Sequence, residues 1–66
     1  MQVKNKLREI RMRDFMKEPS EFADMIGVNR RTYYSWESGN AVPSIKEGLR
    51  ICKIIKKGFD EVWYLE

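Results

Sequence analysis

Apolar residues recur along this chain at spacings of three and four, and nowhere do they alternate with period two over a useful length. Val3, Leu7 and Ile10 set the first stripe and predict a helix over residues 3–15. Met12, Phe15 and Met16 do not continue it, so that helix should end near Asp14 to Met16. Glu18-Pro19-Ser20 then opens a second helix, since proline is tolerated at a first helical position, where its missing N–H would be unpaired anyway. Phe22, Met25 and Ile26 form its apolar face, and Gly27 ends it with the left-handed conformation that suits a helix C-terminus. Asn29 is a good cap for a third helix, over residues 29–37, whose inward face is Tyr33 and Trp36. Ser38-Gly39-Asn40 stops that helix. Pro43-Ser44 starts a fourth, with Ser44 and Glu47 at capping-box spacing. Its buried stripe should be Ile45, Leu49, Ile51, Cys52 and Ile55. After Gly58, residues 60–65 should add a last helical turn or two. The expected fold class is all-α, five short helices.

The length of 66 residues allows one domain, residues 1–66, which buries only about 60% of the surface its unfolded chain exposes. With 42% hydrophobic and 35% charged residues, the composition is that of a globular domain. No apolar run reaches the roughly 20 residues that span a bilayer, and no signal-peptide segment opens the chain. The expectation is a cytoplasmic protein with no membrane partner. Cys52 is the one cysteine, and histidine is absent. This excludes an internal disulfide, a finger-type zinc site and every His-based catalytic set. Cys52 itself lies in an apolar stretch and reads as core. No spacing groups the carboxylates and lysines as a catalytic set, so neither an enzyme nor a cofactor is expected.

The net charge of +3 is compatible with nucleic acid and proves nothing, but its distribution is informative. Residues 1–17 carry a net +4, residues 18–43 a net −2 and residues 44–66 a net +1. The acidic middle nevertheless holds Arg30 and Arg31, side by side just after the Asn29 cap. A bulk electrostatic binder is not built this way; a reader with two placed arginines is. Two helices joined by a tight glycine turn, the second capped and carrying outward polar side chains, have the form of a helix-turn-helix, here over residues 19–37. The second helix of such a pair presents its N-terminal side chains to base edges in the major groove. An arginine fork there matches the O6 and N7 acceptors of guanine.

The segment Phe22-Ala23-Asp24-Met25-Ile26-Gly27-Val28-Asn29-Arg30 resembles the L-A-x-x-L-G-V-S-R core of the Cro/CI repressor, or XRE-like, helix-turn-helix family. Trp36-Glu37-Ser38-Gly39 is similar to its W-E-N-G, Pro43-Ser44 to its P-S-L opening, and Phe59-Asp60-Glu61-Val62-Trp63 to its L-D-E-L-F ending. Leu7-Arg8-Glu9-Ile10-Arg11 resembles its first helix. The resemblance covers nearly the whole chain and implies a lambda-repressor-like DNA-binding domain. It departs from the family at the start of helix 2, where Glu18 and Pro19 replace the usual Ser-Gln. An acid and a proline cannot donate to a phosphate as that glutamine does, which leaves Lys17 or Ser20 to substitute. The turn before helix 2 is also one residue longer, and Lys56 and Lys57 stand where a glycine is usual.

Carried over residue by residue, the resemblance implies that Arg30, Arg31, Tyr34 and Ser35 face bases. It implies that Thr32 and Asn40 touch the DNA backbone, together with Asn29 at the cap and Lys17 or Ser20. Competing assignments are a pairing of Arg30 or Arg31 with Glu37, and a Tyr34 ring that merely covers a neighbour. Glu37 reads as a structural anion bonding a helix-1 arginine or a backbone N–H, and the helix-1 cations as a solvated face. The function implied is a sequence-specific transcriptional regulator, a repressor by family expectation, bound to double-stranded DNA. The alternative is an antitoxin-like or regulatory module that grips a protein partner, with DNA contact secondary. One recognition helix reads few base pairs, so a homodimer on a palindromic operator is expected, either free or only on DNA, with helices about 34 Å apart. The pairing surface expected is Val62, Trp63, Tyr64 and Leu65. In the other arrangement, Val62 and Trp63 close the monomer core and Tyr64 and Leu65 lie singly exposed.

Overall fold

The computed structural model describes all residues, Met1–Glu66. Five helices form the body: α1 (Leu7–Ile10), which runs on into a π-helical segment (Arg11–Phe15), α2 (Pro19–Met25), α3 (Arg30–Glu37), α4 (Ile45–Ile55) and α5 (Phe59–Val62). The chain ends add strands β1 (Val3–Asn5) and β2 (Trp63–Leu65), paired antiparallel with Val3 opposite Leu65 and Asn5 opposite Trp63. The pairing extends outward through Gln2 and Glu66, whose amides donate to each other's carbonyls at 3.2 and 2.9 Å. No helix is long and apolar enough to cross a membrane.

Both chain ends therefore differ from the periodic reading. Val3 sits four residues before Leu7, which mimics a helical stripe, yet the helix begins only at Leu7. Trp63, Tyr64 and Leu65 leave the last helix for the strand, a conformation that suits aromatic side chains. A three-residue strand is too short to show alternation, and its partner lies some sixty residues away. Asn5 anchors the sheet to the body. Its side-chain oxygen accepts from the Leu7 amide (3.1 Å), and its Nδ2 donates to the Trp36 carbonyl at the end of α3 (2.8 Å).

The wide π turn closes at Met16, in the left-handed conformation (φ 51°). The core is one cluster: Leu7, Ile10, Phe22, Ala23, Ile26, Tyr33, Trp36, Ile51, Cys52, Ile55, Val62 and Trp63. Phe22 joins two helices of it through ring contacts, 5.5 Å to Phe15 and 5.5 Å to Tyr33.

Helix α4 is turned differently from its expected stripe. Ile51, Cys52 and Ile55 are buried, but Ile45 and Leu49 are 73% and 54% exposed. The buried position on that turn is Gly48, because the Phe59 ring lies where a side chain would go: a Cβ there would stand 2.7 Å from Phe59 Cε2. Phe59 in turn stacks on Trp63 at 5.2 Å between centroids. The Ser44 hydroxyl caps α4 by accepting from the Glu47 amide (3.2 Å). The Glu47 carboxylate does not complete the capping box, being held by Arg50 at 2.6 and 3.2 Å.

Trp36→Ala should unfold the domain rather than remove a surface contact. Truncating a buried tryptophan costs about 3–5 kcal/mol, against a total stability of about 3–10 kcal/mol for a chain this long. Circular dichroism melting is the measurement, and a variant that melts like the wild type would refute the core role of Trp36.

Candidate nucleic-acid interface

The turn between α2 and α3 is built by local chemistry and locked by α4. Gly27 takes a positive φ (71°), which only glycine adopts at little cost. The carbonyl of Ile26, left open by the end of α2, accepts from Arg50 Nη1 at 2.7 Å. Asn29 caps α3, its Oδ1 accepting from the amides of Arg31 (2.9 Å) and Thr32 (3.3 Å). This engages the Asn29 oxygen and leaves its side-chain amide group to donate outward.

Helix α3 then divides cleanly. Tyr33 and Trp36 are buried, while Arg30, Arg31, Thr32 and Tyr34 are exposed and Ser35 is half-buried. Arg31 makes no ion pair. Arg30 is forked onto Asp24 of α2, Nε to Oδ1 at 3.2 Å and Nη2 to Oδ2 at 2.7 Å. The sequence suggested Glu37, on the same helix, as a partner for one of these arginines, but Arg30 reaches across the turn to Asp24 and Glu37 is taken by Arg11. Tyr34 keeps an exposed face while its ring meets Tyr33 edge-on at 6.5 Å. The Ser35 carbonyl ties down the following loop, accepting from Asn40 N (3.0 Å), Ala41 N (3.2 Å) and Ser38 Oγ (3.1 Å).

Glu37 is spent inside the fold. Arg11 donates to it through Nε and Nη2, both at 3.1 Å, and through Nη1 to the Lys17 carbonyl at 2.8 Å. The Tyr33 hydroxyl donates to the same carboxylate. The paired side chains are 9% and 16% exposed. Burial pushes the Glu37 carboxyl up, but the hydrogen bonds from Arg11 and Tyr33 outweigh it and hold the group below its ordinary value. The Arg11 guanidinium is raised by its bond to Glu37. Tyr33 is pushed far up, by burial first and by Glu37 second.

Over residues 7–62 the sequence matches a family model described as helix-turn-helix. It is also 36% identical over 64 residues to an uncharacterized HTH-type transcriptional regulator, YgzD, of Bacillus subtilis (strain 168), an alignment covering 97% of this chain and 96% of the relative. The chain belongs to the XRE-type helix-turn-helix family.

The residues expected at the DNA backbone differ in exposure. Thr32 and Asn40 are exposed; Lys17 and Ser20 are half-buried, and the Lys17 carbonyl is already taken by Arg11. Lys17 lines a cleft with Arg8, Arg11, Met12, Met16, Glu18 and Pro19, a set that does not include Ser20. Arg8 also lines a second cleft, with Pro19, Tyr34, Glu37 and Ser38. This helix-1 cation, read from the sequence as solvated, thus stands beside the exposed face of α3. Its helical stripe gave no sign of that, because only the tertiary fold brings Arg8 and Tyr34 to one cleft. At the chain end, Val62 is fully buried and Trp63 5% exposed, whereas Tyr64 and Leu65 are 39% and 64% exposed. The first two close the monomer core and cannot form a pairing surface. Cys52 is buried, which pushes its thiol up, and no cluster of potential metal ligands is present.

The Glu37 pair predicts an acid-sensitive fold. A carboxyl whose folded pKa is depressed contributes stability fully above its unfolded pKa, ordinarily 4.5, and loses it as pH falls through the folded value. Wild type should melt well above Glu37→Gln at neutral pH, and the gap should narrow as pH drops below 4.5. A gap that stays constant with pH would show that the charge of Glu37 contributes nothing.

Proposed function

We propose that this protein is a sequence-specific DNA-binding transcriptional regulator that acts as a repressor, reading the major groove with α3. The observation that carries the reading is the division of α3. Its inner residues are locked into the core, and Arg30, Arg31, Thr32 and Tyr34 are displayed together on the outer face. Arginines at the start of such a helix are placed to fork onto guanine. Family membership and the transcriptional-regulator relative support the same conclusion. Base contacts are assigned to Arg30, Arg31 and Tyr34, with a smaller part for the half-buried Ser35. Backbone contacts fall to the Asn29 amide group, Thr32, Asn40, Lys17 and Ser20, joined by Arg8. The last supplies the cationic donor that Glu18 and Pro19 cannot. Repression needs only that the domain occupy promoter DNA.

Selection from a random duplex pool should return a motif with at least one guanine per half-site. Arg30→Ala or Arg31→Ala should weaken binding to it by about 1–3 kcal/mol without altering the melt. Wild-type affinity and preference in both variants would refute α3 as the reading helix.

The active species proposed is a two-fold dimer on a palindromic site. With Val62 and Trp63 in the core, two exposed apolar sets can pair chains. One is Tyr64 and Leu65. The other is Ile45 and Leu49, one turn apart on α4, with Phe59 against the intervening Gly48. Sedimentation on operator duplex should find two chains per duplex for the wild type, and one for whichever of Leu65→Glu and Leu49→Glu removes the pairing surface. One chain per duplex in the wild type would rule out the dimer.

A further inference from the structure

Asp24 is the residue next to the reading face that neither the fold nor general attraction to DNA explains. Its side chain is 58% exposed, and its only partner is Arg30, itself 59% exposed. Exposed ion pairs add little to stability, and a carboxylate beside a polyanion is repelled by it. The geometry of the fork is informative. A guanidinium has five N–H donors. Asp24 takes two of them, on the Nε–Nη2 edge. Three remain, including the whole Nη1–Nη2 edge, which can fork onto a guanine's O6 and N7. Arg30 is therefore oriented rather than consumed, and part of its ordering is done before DNA arrives. Its neighbour Arg31 has no such partner and can meet a phosphate or a base alike.

We propose that Asp24 is a specificity-determining positioning residue, which holds Arg30 with its free edge toward a guanine and discourages that arginine from serving as a general phosphate clamp. The inference rests on the DNA-reading function proposed above. It makes the two adjacent arginines unequal, with Arg30 the discriminating one and Arg31 the general one.

The test uses the full chain as wild type, Asp24→Asn, Arg30→Ala and the double variant. Each is titrated with the pool-selected duplex and with a random duplex of equal length, over a series of salt concentrations. Asp24→Asn should tighten binding to random duplex and steepen its logarithmic salt dependence by about 0.9, one further phosphate contact. The ratio of selected to random affinity should fall about five- to tenfold, the low end of what one bidentate base contact is worth. In the Arg30→Ala background the same substitution should leave the ratio unchanged. A ratio unaltered by Asp24→Asn overturns the proposal, even if both affinities rise together. An equal fall in the Arg30→Ala background also overturns it, since Asp24 would then act by charge alone. A wild type that selects no motif overturns the DNA-reading function itself, and with it this inference.

Discussion

The buried contact between Arg11 and Glu37 ties the first helix to the last turn of α3, and the usable geometry of the molecule follows from it. All three nitrogens of the Arg11 guanidinium are engaged, two by the carboxylate and one by the Lys17 carbonyl just before α2. Tyr33, one turn earlier on α3, completes the carboxylate's shell. Such a pair is not the strongest way to fill a core, because desolvation offsets most of its attraction. What it supplies is registry. The planar fork is directional, so its bonds to Glu37 and the Lys17 carbonyl constrain how the two helices sit relative to each other. The bond from Asn5 to the Trp36 carbonyl holds the same end of α3 from the other side.

A helix held so firmly along its inner face and at its C-terminal end can present the opposite face without its own motion blurring the contacts. Its N-terminal end is fixed as well, by the Asn29 cap and by the Arg50 bond that closes α2. The exposed side chains then differ in freedom although they sit on one rigid support. Arg30 is steered by Asp24, Arg31 is free, and Tyr34 is braced by the Tyr33 ring. Arg8 joins them from α1 through the cleft it shares with Tyr34. The proposed reading surface thus draws on three helices, although one of them supplies most of it.

The two short strands solve a problem of size. A chain of this length has little interior, and pairing its ends brings Val62 and Trp63 into the same cluster as Leu7 and Trp36. The Phe59 ring over Gly48 has the complementary effect. It covers the turn of α4 where a larger residue would have packed, and it leaves Ile45 and Leu49 facing out. Apolar surface is therefore exposed on α4 as well as at the chain end, where Tyr64 and Leu65 remain outside the core.

By itself the sequence determined the features that depend on neighbours a few residues apart: the capped third helix, the glycine turn before it, and the inward Tyr33 and Trp36. It also settled the family, and it marked Glu37 as a structural anion for a helix-1 arginine or a backbone N–H, of which the fold chose Arg11. The tertiary structure decided whatever depended on distant residues. Val3 and Trp63 become strand residues only because the two chain ends meet, Val3 opposite Leu65 and Trp63 opposite Asn5. The rotation of α4 was hidden because a single glycine, Gly48, carries no hydrophobic signal until the Phe59 ring is seen lying on it. Arg8 comes beside Tyr34 only through the tertiary fold. The partner of Arg30 lay in the sequence six residues away, but across a turn whose angle sets which carboxylate a long side chain can reach. Local periodicity and capping act through bonds within one or two turns, so they are written in the sequence order. Strand pairing, ring stacking and ion-pair choice are settled only when separate segments compete for the same space.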